Sequence, residues 1–400
     1  MITKRDVEAA YEAIRNHVVL TPLVYSHTLS ELSGCAALFK LENLQMTGSF
    51  KDRGAFNRLL RLSEQEKRRG VVAASAGNHA QGVAYNCQRL GISAKIVMPV
   101  GTPLIKVVST QSYGAECVLS GASYDDACER AVEIAAEEDR LFVHPFDDPW
   151  VIAGQGTIAI EVLQHELCKE LDAVLCPLGG GGLISGIATY VKETRPSVAV
   201  IGVEPAACPS MKESLEQGHR VELQTAGSLA DGLVVKRPGR LTYEHVEKYV
   251  DDIVTVGEDE IANAVLLLLE IEKVLVEGAG AVPLAALLSH KDDFQGKRVL
   301  SILSGGNIDV NILGRIITRG LGVDGRITRL QLRLQDRPGT LMAALNTAKE
   351  LQANVLDITH HRFDSTAPFG YVDVSVTLET RGHDHIRSIC GALKEQGYLS

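Results

Sequence analysis

Several things are missing from this 400-residue sequence, and each absence removes a class of function. No apolar run is long enough to span a bilayer, and the opening stretch MITKRDVEAAYEAI carries charges where a secretion signal needs an apolar core. A cytoplasmic protein with no membrane partner is therefore expected. There is no global basic field either: 50 carboxylates stand against 40 Lys plus Arg, for a formal charge of -10. Nucleic acid is not expected as a partner. The eight cysteines, at 35, 87, 117, 128, 168, 176, 208 and 390, include no CxxC pair and no cysteine–histidine cluster at zinc-finger spacing. Several lie in apolar runs, where a buried thiol is the plain reading. Repeats of solenoid period and low-complexity tracts are also absent.

What is present reads as a globular protein, with 45% hydrophobic and 22% charged residues. A chain of 400 residues exceeds one ordinary core, so two or three packed units are expected. From Val71 onward short apolar runs alternate with longer helical patterns: VVAAS, AKIVMPV, ECVLS, LFVHPF, AVLCPL and AVIGVEP. That alternation predicts an α/β architecture, a parallel sheet covered by helices on both faces. Ligands of such sheets sit at the carboxyl ends of strands, so the loops after these runs are the informative places. Around Gly320 the pattern changes, with glycines at 320, 322 and 325 suggesting a hinge. Beyond it the pattern predicts a small βαββα unit: strand ITRLQLRL, turn Asp336 to Gly339, helix Thr340 to Leu351, strands NVLDITHHRF and YVDVSVTLE, and helix His383 to Gln396. We place the division as a large unit over 1–322 and a small one over 327–400.

Four segments carry chemistry. Gly179, Gly180, Gly181 and Gly182 follow the run Ala173 to Leu178 and precede a helical pattern from Leu183. Glycines permit close backbone approach, and a helix N-terminus offers free N–H groups, so this is built as a phosphate cradle; the alternative is a flexible turn. No Lys-Ser or Lys-Thr follows, which excludes a nucleoside-triphosphate loop, and the spacing is not GxGxxG. Lys51 lies in TGSFKDRGA, after small and turn-forming residues and before a helical pattern. A lone lysine is ordinarily a solvated charge, but a desolvated one near a helix start can lose its proton and form a Schiff base. SAGNHAQG, Ser75 to Gly82, would aim Ser75, Asn78, His79 and backbone N–H groups into one concavity, a seat for a small carboxylate or an ordinary turn. SGGN, Ser304 to Asn307, offers a hydroxyl that could face a ring nitrogen or cap the next turn.

In this order and at these strand ends, the four segments resemble the threonine and serine dehydratase family of fold-type II pyridoxal-phosphate enzymes, over roughly residues 5–320. The resemblance implies a tryptophan synthase β-like fold of two open parallel-sheet lobes. It implies that Lys51 carries pyridoxal 5'-phosphate, with Phe50 beside the ring and Asn78 at the 3-hydroxyl. Gly179 to Gly182 and Leu183 would hold the phosphate, and Ser304 would meet the ring nitrogen. Ser75, Gly77, Asn78, His79 and Ala80 would take the substrate carboxylate, with Lys51 and Ser75 as the catalytic pair. Glu204, Cys208 and Ser210 match a cation site of the family. Because some relatives have aspartate where Ser210 stands, a monovalent ion suits this set better than a divalent one. The C-terminal unit, with DRPGTL at 336–341 and Asn354, resembles an α+β ACT regulatory domain, implying an amino-acid effector at Asp336, Pro338, Gly339 and Asn354. It also implies pairing between copies in a homodimer or homotetramer. The sequence left after Gly397 is short for the final strand usual in such units.

The activity implied is deaminating elimination of water from L-threonine to 2-oxobutanoate and ammonia, with isoleucine biosynthesis as the setting and isoleucine or valine the first effector candidates. Serine dehydratase or serine racemase is the alternative within the fold. A non-catalytic amino-acid sensor is the alternative of another class, opposed by the intact Lys51, glycine tetrad and Ser304.

Overall fold

The computed structural model describes residues 1–224, 227–362 and 367–399. The chain forms two compact units, Met1–Ile308 and Asp309–Ser400. Among the described residues, no helix is long and apolar enough to cross a membrane.

The first unit contains two sheets. The larger joins β1 (Leu23–Tyr25), β2 (Ala36–Lys40), β7 (Ala173–Pro177), β8 (Ala199–Pro205), β9 (Asp252–Val256) and β10 (Arg298–Ile302) in the order β1-β2-β10-β7-β8-β9, parallel except for β1. The smaller is wholly parallel and joins β3 (Val71–Ala74), β4 (Ala94–Met98), β5 (Glu116–Leu119) and β6 (Leu141–Phe142) in the order β5-β4-β3-β6. Val71–Ala74 and Ala173–Pro177 are buried throughout, so their sequence reads as continuous apolar runs rather than alternation. All six apolar runs singled out from Val71 onward form strands. The fourth is much shorter than LFVHPF. The chain leaves the sheet at His144, whose Nδ1 accepts the N–H groups of Phe146 and Asp147, and Pro145 has no N–H to give a ladder.

Each strand that matters ends in one of the expected segments. β3 runs into Ser75–Gly77 and the helix Asn78–Leu90, β7 into the glycine tetrad and the helix Gly182–Thr194, and β10 into Ser304–Asn307. Since β3 belongs to one sheet and β7 and β10 to the other, a site made by these ends lies between two lobes. The helix Lys51–Leu60 is anchored by a fully buried charge cluster. Arg53 donates to Glu42 at 2.8 Å and to Glu161 at 2.6 Å, and Lys40 donates to Glu161 at 2.6 Å. Burying four charges is tolerable only because each is paired, and removing one would strand the others.

In the second unit, β11 (Ile327–Gln335), β12 (Asn354–His361) and β13 (Tyr371–Glu379) form an antiparallel sheet in the order β11-β13-β12, with helices Thr340–Glu350 and His383–Glu395. The βαββα order is as the pattern predicts; Phe363, at the end of the NVLDITHHRF stretch, lies outside the described residues. Leu330, Leu332 and Leu334 alternate inward to a core with Val374, Val376 and Leu378. Gly320 and Gly322 differ from a hinge: they lie inside the helix Val310–Val323, and Gly325, at φ +68°, makes the turn. Each glycine costs that helix roughly 1 kcal/mol relative to alanine, and Ile316 is its buried apolar residue. After Gly397, among the described residues, the Tyr398 carbonyl takes the Arg333 N–H at 2.9 Å.

Candidate active site

Lys51 opens its helix with no side chain capping it. Its amine donates to the carbonyl of Pro145 at 3.0 Å and lies 5.1 Å from the centre of the Phe50 ring. Burial lowers its pKa to about 8, against the opposing pull of Glu277. An amine so placed sheds its proton near neutral pH, which a surface lysine does not. The Phe50 N–H donates to the Ser304 carbonyl at 3.0 Å, and Ser49 bridges to Gly305, so the lysine turn and the end of β10 are joined. Ser304 is buried.

The glycine tetrad has no room for side chains. A Cβ on Gly179 would lie 2.8 Å from the Leu233 backbone, on Gly180 2.4 Å from the Phe146 ring, and on Gly181 2.8 Å from Thr242 Cβ. Gly181 has φ +88° and caps the helix Gly182–Thr194 with no side chain, leaving its first N–H groups to an outside acceptor. Helix N-terminus, backbone-only walls and a desolvated amine together fit a phosphorylated aldehyde cofactor such as pyridoxal phosphate.

At the end of β3, Ser75 Oγ accepts the Gly77 N–H at 3.1 Å, and the helix Asn78–Leu90 starts without a side-chain cap. Its free N–H groups at residues 78–80 remain for an anion. The His79 ring is turned away from this task. Its Nε2 meets the Val143 carbonyl at 3.0 Å, which makes Nε2 the proton carrier, and burial beside the Lys51 charge lowers its pKa to about 3. Only its backbone N–H is left for a carboxylate.

Two groups here are unassigned by the sequence. Glu277 accepts from Asn78 Nδ2 at 2.6 Å and is pushed up to about 7 by burial, with Asp231 adding to the rise and Asn78, Lys106 and Lys51 opposing it. Asn307, in SGGN, donates to Asn78 Oδ1 at 2.8 Å. The signal for Glu277 was a lone carboxylate directly before the otherwise apolar helix Gly278–Ser289. The segment His144–Asp148 was unassigned too. Pro145 holds Lys51, Phe146 lies against Gly180 and Gly182, and Asp147 caps the helix Arg240–Tyr249 through the N–H groups of Arg240, Leu241 and Thr242.

Glu204 is buried, and its two oxygens accept the N–H groups of Met211 and Lys212, each at 2.9 Å. Burial raises its pKa to about 8. Cys208 Sγ faces the Val235 carbonyl at 3.5 Å, and the Ser210 hydroxyl is buried without a partner. Among the described residues there is no cluster of three His, Cys, Asp or Glu side chains suited to a metal. In the second unit a cavity of about 290 Å³ is lined by Asp336, Arg337, Pro338 and Gly339, with His360 and Arg362 opposite. Asp336 is paired with Arg362 at 3.0 Å. Asn354 does not line this cavity; it donates to Glu379 at 3.1 Å.

The fold and this site define a pyridoxal-phosphate-dependent enzyme, and the chain belongs to the pyridoxal-phosphate dependent enzyme family, whose profile matches residues 14–305. Within it, the chain is similar to the L-threonine ammonia-lyase of Thermotoga maritima, at 48% identity over all of this chain and 98% of that one. The catabolic L-threonine dehydratase TdcB of Escherichia coli is 47% identical over 313 residues, covering 78% of this chain and 94% of that protein. Among solved structures, the processed form of threonine deaminase isoform 2 from Solanum lycopersicum superimposes with a TM-score of 0.75 at 38% identity, over 80% of this chain and 87% of that one.

Proposed function

We propose that this protein is an L-threonine ammonia-lyase, releasing 2-oxobutanoate and ammonia, with Lys51 as cofactor carrier and base. The observation that carries this reading is the Lys51 amine, desolvated beside the Phe50 ring and held by Pro145, whose neighbour Phe146 lies against the side-chain-free glycine loop. The named activity of the relatives supports the choice of substrate. Gly179 to Gly182 and Leu183 would hold the phosphate, Asn78 would face the ring oxygen, and the Ser304 hydroxyl would meet the ring nitrogen. Bound pyridoxal phosphate supplies an electron sink for negative charge at the substrate Cα. Lys51, its pKa lowered to about 8, would serve as the base that takes the Cα proton. The N–H groups at 78–80 and the Ser75 hydroxyl seat the substrate carboxylate, and a neutral His79 leaves that anion's charge to helix dipole and amides. A serine hydroxyl in that place, unlike a carboxylate, would not hold a proton on the ring nitrogen. Comparing ammonia release from L-threonine, L-serine and D-serine tests the assignment; turnover confined to serine would reject it.

The remaining parts of the reading concern ions, assembly and control. Glu204, the Cys208 carbonyl and Ser210 take a monovalent cation, supported by the partnerless buried Ser210 hydroxyl. A free amino acid binds the Asp336–Gly339 cavity and alters turnover, supported by a volume and a mix of apolar and charged walls that suit a small zwitterion. The enzyme works in the cytoplasm as a homodimer or homotetramer.

A further inference from the structure

One hydrogen-bonded chain passes beneath the ligand-facing amide of Asn78, and its direction can be read from a group that cannot be reversed. The Thr47 carbonyl only accepts. It takes an N–H from Asn307 Nδ2 at 2.7 Å, which fixes the Asn307 amide nitrogen on that side. The second Asn307 N–H meets Asn78 at 2.8 Å, so the atom facing it must be the Asn78 oxygen. The Asn78 nitrogen then faces Glu277, at 2.6 Å. Thr47 itself is pinned from behind, its N–H and hydroxyl donating to Asp52 at 2.8 and 2.9 Å. One Asn78 N–H is left with no partner among the described residues, while its oxygen is occupied.

We propose that Asn307 and Glu277 are positioning residues that lock the Asn78 amide with an N–H, and not its oxygen, turned toward the cofactor's ring oxygen. This rests on the reading, given above, that Asn78 faces that oxygen. A donor there favours the ionised ring oxygen; an acceptor would favour the protonated one. The amide orientation thus sets which form of the cofactor the site prefers. Glu277 is faced by Asp231, Lys106 and Lys51 as well as by Asn78, and its carboxyl contributes as an acceptor rather than only as a charge.

The test is the absorption spectrum of the holoenzyme, where ionised and protonated ring oxygens give separate bands, read together with cofactor affinity. Asn307→Asp removes the donor that holds the Asn78 oxygen. Glu277→Leu removes the acceptor that holds its nitrogen, and Glu277→Gln retains one. Asn307→Asp and Glu277→Leu should each move the band ratio toward the protonated form by roughly two- to tenfold, the worth of one hydrogen bond. Glu277→Gln should stay close to wild type, and neither change should matter in an Asn78→Ala background. If Asn307→Asp does not fold, the Glu277 pair decides alone. An Asn78→Ala protein with unchanged spectrum and affinity would remove the underlying reading. A responsive Asn78→Ala with an unresponsive Asn307→Asp and Glu277→Leu, equal effects of Leu and Gln, or effects that persist without Asn78, would overturn this proposal and leave that reading standing.

Discussion

Two turns in this molecule use the same backbone device to opposite ends. Gly181, at φ +88°, and Gly339, at φ +90°, each precede a helix that no side chain caps. Both therefore offer free N–H groups to an anion. Their surroundings differ. A Cβ on Gly181 would strike Thr242 and Met211, whereas one on Gly339 would meet nothing within 4 Å. The first turn is walled by packed side chains and suits a group held for the life of the protein. The second opens into a cavity lined by Arg337, His360 and the Asp336–Arg362 pair, which suits a ligand that comes and goes. A turn supplies donors; its walls decide residence time.

The largest effect should come from the closed site. Lys51→Ala is expected to abolish elimination, by at least the roughly 10²–10⁴-fold typical of losing a proton-transfer group. The visible absorbance of the bound cofactor should vanish while the circular dichroism stays native. Near-normal turnover in that variant would reject Lys51 as carrier.

Next come the two turns themselves. Gly180→Leu would press on the Phe146 ring, an overpacking worth about 1–3 kcal/mol, and should appear mainly as lost cofactor affinity. Gly339→Ala carries only the left-handed backbone cost of about 1–2 kcal/mol and should leave cofactor affinity alone. If Gly180→Leu lowered the melting temperature of the cofactor-free protein as much as it lowered affinity, the contrast between a binding turn and a structural one would collapse.

The open turn is tested by adding free amino acids. Coupling is typically about 1–3 kcal/mol, so a several-fold shift in apparent affinity or rate is expected, and a chain ending near Gly325 should lose it. The extent of the Escherichia coli relative, whose alignment covers 78% of this chain, makes such a shortened enzyme reasonable. If none of the twenty amino acids shifts the full-length enzyme, the second unit is an assembly device.

The smallest effects are ionic. Glu277 has its pKa raised from 4.5 to about 7, so the folded protein holds a proton that the unfolded chain releases. Its contribution to stability of the cofactor-free protein should fall as pH rises from 4.5 toward 7. The melting temperature of Glu277→Gln, measured against wild type, should rise across that window; a flat difference would contradict the shift. Potassium added to a buffer free of sodium and potassium should raise activity, magnesium should do little, and Glu204→Ala should flatten the response.

The strands and the loops at their carboxyl ends were legible because both are local. A strand buried on both faces is an apolar run, and a loop with no room for side chains is a run of glycines. The Asn78–Glu277 contact was not legible, since 199 residues separate the pair and only the meeting of two sheets brings them together. Asn307 stood inside a recognised motif, yet its duty depends on the Thr47 carbonyl, a group every residue has. His79 shows the converse. Its place in SAGNHAQG suggested a ligand, while its ring satisfies the Val143 carbonyl inside the lobe. Asn354 was placed beside the effector turn by resemblance and instead pairs with Glu379 at the far end of β13.

The segment His144–Asp148 has a bearing on how this enzyme can be altered by length rather than by side chain. His144 bends the chain, Pro145 holds the Lys51 amine, Phe146 fills the space over the glycines, Asp147 caps one helix, and Asp148 caps another through Trp150 and Val151 while pairing with Arg58 at 2.9 Å. Four consecutive residues with four separate partners, held in a bend by His144, leave no slack, so one inserted residue would move every later partner out of reach. Permutation, domain insertion and loop grafting should fail here even with small polar inserts, and should be directed to turns such as Gly218, where added atoms meet open space.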